Sequence, residues 1–252
     1  GASNTALGLS SLFSNTTADN NTAIGTNTLL VNTTGSNNTA VGFTSLSANT
    51  TGGFNVAVGA NALDANLTGS QNTAIGENSL TNNTASDNTA VGRDSLRDNT
   101  SGNHNTAVGK DALELNTTGA ENTAVGAKAL DANTTASGGA AFGLGALGAN
   151  TTGAENTALG ASSMQQNSTG ASNVAVGNQA LKSNTTASDN TAVGYKSLLS
   201  NTTGNSNVAI GFEALKDSTT SSNNTALGYK SLLSNTTGNS NVAVGANALV
   251  AC

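Results

Sequence analysis

The sequence predicts an all-β chain, a parallel β-solenoid or β-roll of about fifteen 17-residue coils. Three observations carry that expectation. A motif of the form N-T/V-A-x-G recurs fourteen times, with a degenerate fifteenth copy, G-A-A-F-G, at Gly139; its spacing is seventeen residues with one exception; and charged residues are only 9%, aromatics 3%, with no proline or tryptophan. Charged residues are about a quarter of an ordinary globular chain. A polar, low-complexity chain could instead be disordered, but 36% of the residues are apolar and fall at fixed intervals, which a linker has no reason to maintain.

The copies begin at residues 4, 21, 38, 55, 72, 88, 105, 122, 139, 156, 173, 190, 207, 224 and 241, so residues 1–252 read as a single repeat array. The unit starting at Asn72 has 16 residues. Read in columns, the unit is N-T-A-V-G-x-x-A-L-x-x-N-T-T-G-x-x. Column three is always Ala and column five always Gly; column nine is Leu except at Met164; column four is aliphatic except at Phe142. All charged residues fall in columns six, seven, ten, eleven, sixteen and seventeen, the positions expected to face water.

Each element of the unit has a local reason. The T-A-V stretch is short, bounded by Gly and β-branched, which suits a strand. Columns two and four share one strand face and column three takes the other. The Gly at column five permits a corner with positive φ, and N-T-T-G carries the chemistry of a second turn. Two short strands and two or three corners would complete one lap, stacked on the next at about 4.8 Å. With the aliphatics of columns four and nine inside, the apolar burial per lap falls short of the cost of ordering it, so association of several chains is expected. The unbroken alanine row suggests where: Ala6, Ala23, Ala40, Ala57, Ala74, Ala90, Ala107, Ala124, Ala141, Ala158, Ala175, Ala192, Ala209, Ala226 and Ala243 are candidate inter-chain packing positions.

Charge narrows the partners. With eight Lys and Arg against fourteen Asp and Glu, the net charge of −6 leaves no basic stripe for nucleic acid or an anionic membrane. There is no eighteen-residue apolar run and no charged-then-apolar leader, so neither membrane insertion nor a signal peptide is expected in this segment. The single cysteine, Cys252, cannot form an intrachain disulfide and suggests interchain pairing, a truncation point or an added handle.

The N-T-A-V-G-x-x-A-L core, present in essentially every unit, resembles the head repeats of YadA-like trimeric autotransporter adhesins, and similar runs occur in phage tail fibres. The resemblance implies a left-handed β-roll assembled as a homotrimer, located outside the cell, at its surface or on a virion fibre, and adhering to host matrix or other cells. The family's unit is shorter, and N-T-T-G has no counterpart in it.

Candidate sites follow from the columns. Column twelve places an N-x-S/T sequon at Asn15, Asn32, Asn49, Asn66, Asn99, Asn116, Asn133, Asn150, Asn167, Asn184, Asn201 and Asn235, with four more at Asn20, Asn37, Asn82 and Asn223. Two readings stand open: turn-capping asparagines stacked in a ladder, or a rod bearing one N-linked glycan per coil. The Thr ranks of columns thirteen and fourteen invite comparison with ice-binding solenoids, although adjacent residues point to opposite faces and only one rank can be displayed. Asp87, Glu121, Glu155 and Asp189 recur too sparsely for a calcium ladder, and His104 lacks partners for zinc or a nucleophile–base pair. Asp94 and Asp98 alternate with Arg93 and Arg97 as a compensated surface; Gly138, Gly139 and Gly143–Gly145 mark one degenerate coil; and Phe43, Tyr195, Phe212 and Tyr229 form a sparse aromatic strip in column six.

No cofactor or metal is called for. The expected function is a non-enzymatic, self-associating structural rod of an extracellular fibre or adhesin, as a trimer or fibril. The alternative is a surface-binding module for host matrix or, through the Thr ranks, ice.

Overall fold

The computed structural model describes residues 1–250, so Cys252 lies outside the described residues. The chain divides into two compact units, Gly1–Asn122 and Thr123–Cys252. In the first, seven strands from β1 (Thr5–Leu7) to β7 (Thr106–Val108) pair in parallel in sequence order. In the second, eight strands from β8 (Thr123–Val125) to β15 (Val242–Val244) do the same. Register is strict: Ala stands on Ala, and column four on column four, at every described pairing. This is a parallel β-solenoid, and the described residues contain no helix.

Each lap holds one three-residue strand, not the two expected. Columns five to eleven are wound instead through residues of left-handed conformation. In one lap Gly109 has φ 135°, Asp111 φ 58° and Leu113 φ 51°, and Glu121 at column seventeen has φ 61°. A leucine in that region costs about 1–2 kcal/mol locally. It persists because the wound corner turns the side chain inward, where Leu113 has no exposed surface. The column-five glycine is required twice over. Gly92 has φ 137°, and a Cβ there would sit 2.5 Å from the carbonyl oxygen of Gly109 in the next lap.

Two expectations about which side chains face inward are overturned. The alanine row points into its own coil: from Ala23 to Ala226 every member has no accessible surface, and Ala243 has 3%. Only Ala6 is exposed. A methyl group already enclosed by its own chain cannot touch a neighbour, so the row packs the lap interior and not an inter-chain surface. The aliphatics of column four, expected inside, lie on the opposite strand face. Ile75 is 40% exposed, Leu159 49% and Leu227 44%. Alternation along a three-residue strand permits only one of the two faces to be internal, and the narrow lap accepts the small one.

The interior is therefore thin: Ala of column three, Leu of column nine, a small residue at column eight, and two rows of asparagine. Column-one asparagines bridge across the lap. Asn38 Nδ2 donates to the carbonyl of Gly52 at 2.9 Å, and its Oδ1 accepts from the backbone N–H of Asn55 at 2.9 Å. Column-twelve asparagines meet the same carbonyl from the other side, Asn49 Nδ2 donating to Gly52 O at 2.9 Å and to Asn32 Oδ1 of the preceding lap at 2.8 Å. Buried amides need this complete pairing, because each lost partner costs about 1–3 kcal/mol.

Candidate binding face

With Ala turned inward, columns two and four of each strand face outward as two parallel ranks. Column two presents mostly Thr with some Val, half-buried at Thr89 and Val208; column four presents Val, Ile, Leu and one Phe. The strand backbone has no hydrogen bonds left to offer: Thr89 N–H donates to Asn105 O and Gly92 N–H to Ile75 O, both at 2.8 Å. What remains is a grid of methyls and hydroxyls in which no charged residue occurs. In each unit of this chain of net charge −6 the strand face is free of charge and carries exposed aliphatics, such as Val108 at 37% and Ile210 at 37%, a surface of the kind that marks an interface.

In the second unit the face is bordered by the column-six aromatics. Tyr195 stacks on Phe212 with ring centroids 5.3 Å apart, and Phe212 on Tyr229 at 5.4 Å. Lys196 lies 5.0 Å from the Tyr195 centroid and Lys230 5.2 Å from that of Tyr229, capping the stack with two cations. Glu213 bridges Lys216 at 3.4 Å and Lys230 at 3.6 Å. The Lys230 ammonium is held above its ordinary range, first by the Tyr229 hydroxyl and then by Glu213. Phe43, in the first unit, is exposed at 57% with no stacked ring partner among the described residues.

The column-twelve sequons prove to be internal. Asn32, Asn49, Asn66, Asn99, Asn116, Asn133, Asn167, Asn184, Asn201 and Asn235 have no exposed surface, Asn150 has 1%, and Asn15 is half-buried. Their Nδ2 atoms, where a glycan would attach, donate into the lap, as Asn167 does to Gly170 O at 2.9 Å. The glycan-bearing reading of this column is overturned, and the ladder reading describes it. The second sequon set differs: Asn20, Asn37, Asn82 and Asn223 are exposed.

Of the two Thr ranks, column thirteen turns its hydroxyls onto the backbone, Thr50 Oγ1 donating to Leu67 O at 2.9 Å and Thr100 Oγ1 to Thr117 O at 2.9 Å. Column fourteen is the displayed rank, with Thr34, Thr51 and Thr203 exposed. His104 approaches Asp87 in the neighbouring lap at 4.0 Å. The compensated surface is present: Arg93 pairs with Asp94 at 3.0 Å, and Arg97 with Asp98 at 2.9 Å and with Glu114 of the next lap.

What sequence reasoning missed is the outward face itself. The signal was in the columns: Thr at column two and absence of charge from both ranks fit a surface that packs against something other than its own interior. No helix among the described residues is long and apolar enough to cross a membrane. No protein-family model matches the chain, and no curated protein is detectably similar to it.

Proposed function

We propose that this chain is a non-enzymatic structural solenoid of an extracellular or cell-surface fibre, self-associating as a left-handed trimeric roll through its column-two and column-four face. One observation carries the reading: the strand face of each unit, its columns two and four, is free of charge and bears exposed aliphatics, whereas every charged residue of this acidic chain lies elsewhere. Identical chains of like charge repel wherever charges oppose one another, so the face they can share is the uncharged one. In-register ranks repeating at about 4.8 Å on each copy offer matching ridges and grooves. The thin interior adds a second support, since a lap built on one leucine and several small residues gains much from covering its column-four aliphatics. The resemblance of the repeat core to adhesin heads motivates the trimer, the handedness and the extracellular setting.

Sedimentation equilibrium tests the reading. The wild-type chain is expected to sediment at three times its 24.5 kDa mass. The double variant Val91→Lys, Val193→Lys, which puts a charge into column four of each unit, is expected to sediment as a monomer with its β circular dichroism retained. A wild-type chain that is monomeric at every concentration refutes the proposal.

A further inference from the structure

The coil that begins at Gly139 departs from the repeat in a concentrated way, and the departure opens a cleft. Gly145 is the only glycine of column seven and Gly148 the only glycine of column ten. Removing both side chains leaves an open cleft of about 420 Å³ in the second unit, within the size range of small-ligand sites. Gly148 forms part of its floor: a Cβ there would sit 3.2 Å from Asp131 Oδ1. Gly145 borders Gln165, whose Nε2 would be 3.5 Å from an added Cβ. Lys128 and Lys182 stand on either side, with Gln165 and Gln166 between them.

We propose that this cleft binds a short acidic oligosaccharide, of the uronate class. Apart from Ala149 and the glycines, the lining side chains are Lys, Asp and Gln, so a ligand rich in hydroxyls and carboxylates finds polar partners there. Carboxamides both donate and accept, as do sugar hydroxyls, and the Asp131 carboxylate is a further acceptor for hydroxyl groups. The two ammonium groups supply the charge-assisted donors that a sugar carboxylate needs. Lys128 and Lys182 are three laps apart, about 14 Å along the stack at the usual strand spacing, so the site suits several linked rings more than a single small anion. The chain as a whole is acidic and repels polyanions, so an acidic sugar needs local lysines to hold it, and Lys128 and Lys182 supply them here.

Isothermal titration of the full chain with a hyaluronan tetrasaccharide, a neutral chitin tetrasaccharide and inorganic sulfate tests the site. Saturable binding of the hyaluronan probe is expected, at least tenfold tighter than either control. Gly145→Asn fills the cleft with the residue that other laps carry at column seven in the same left-handed conformation, such as Asn61 with φ 55°. It is expected to weaken binding at least tenfold with unchanged melting temperature. Lys182→Met, which keeps the stem and removes the charge, is expected to do the same and decides the matter if Gly145→Asn unfolds. Absence of saturable hyaluronan binding, equal binding of the neutral sugar or of sulfate, or full affinity in Lys182→Met each overturns the proposal.

Discussion

Thr28 and Ser45 compete for one carbonyl. Elsewhere a column-eight serine donates to the column-five carbonyl of its own lap, as Ser95 Oγ does to Gly92 O at 2.8 Å. For Ser45 that acceptor is Gly42 O, which already receives Thr28 Oγ1 from the preceding lap at 2.8 Å. Ser45 Oγ is accordingly buried without a partner.

A buried hydroxyl without a partner costs about 1–3 kcal/mol, whereas a paired one contributes about 1 kcal/mol net. Alanine occupies the same column at Ala62 and Ala112 without strain on the pattern. Ser45→Ala is therefore expected to stabilise the first unit by up to about 1 kcal/mol. Ser95→Ala is expected to destabilise it by about the same amount. Calorimetric melting of the two variants beside the wild type checks the opposite signs; a loss of stability in Ser45→Ala contradicts the assignment.

The one short lap leaves a comparable defect. Asn66 Oδ1 is buried without a donor. In the preceding step of the ladder Asn66 Nδ2 reaches Asn49 Oδ1 at 3.1 Å. In the 16-residue lap Asn83 Nδ2 keeps the usual bond to its own turn carbonyl, Ala85 O at 2.8 Å, but makes none to Asn66 Oδ1, and the ladder resumes only when Asn99 Nδ2 meets Asn83 Oδ1 at 2.7 Å. The residues 83–87 read NTASD where residues 184–189 read NTTASD, so a threonine of column fourteen is missing. Inserting Thr between Thr84 and Ala85 is expected to restore the donor to Asn66 and raise stability by about 1 kcal/mol, the net worth of one internal hydrogen bond. A lower melting temperature for the insertion variant counts against this account.

How far the fold could be read in advance follows from what repetition records. The period, the parallel stacking and the glycine corner were legible because each leaves an invariant column, and Gly92 satisfies both a positive φ and a close approach. Which strand face is internal was not legible, because Ala at column three and Val at column four are both compatible with burial. Their allocation depends on the width of the lap, which is set by the left-handed winding at positions such as Asp111 and Leu113. The recurrent Asn and Asp of column seven carry a weak signal of that winding, but the leucine of column nine disfavours it. The asparagine sequon was likewise ambiguous by chemistry alone, as the same carboxamide serves a surface glycan or an internal ladder, and only the position of Asn167 inside the lap separates them.

The inward and outward aliphatics should respond differently to truncation. Leu113 is fully enclosed, so Leu113→Ala removes buried methylenes and leaves a cavity that the stacked laps on either side cannot close, a cost of about 2–5 kcal/mol. Val108, 37% exposed on the candidate face, should cost the isolated chain about 1 kcal/mol or less when changed to Ala while weakening self-association. Chemical denaturation paired with sedimentation separates the two effects. Equal losses of stability, or an unchanged association constant for Val108→Ala, contradict the assignment of the two faces.

Acid sensitivity should localise to the Arg97 cluster. Arg97 Nε donates to Asp98 Oδ1 at 3.0 Å and Arg97 Nη2 to Asp98 Oδ2 at 2.9 Å, while Asn82 Nδ2 adds a hydrogen bond to Oδ1 at 3.2 Å. The guanidinium bond first, then its charge and the Asn82 amide, hold the Asp98 carboxyl below its ordinary range against the opposing effect of burial. A carboxyl whose folded pKa lies below its unfolded value stabilises the fold at pH above the unfolded value, about 3.9, and that contribution disappears as pH falls through the folded one. The side chains are each 32% exposed, so the contribution is limited by solvent screening to about 1 kcal/mol or less. Asp98→Asn removes the titrating group, so between about pH 5 and pH 2 the variant is expected to lose less stability than the wild type, converging with it at the acid end. Urea unfolding at a series of pH values reads the difference, and parallel pH profiles for the two proteins contradict a depressed Asp98.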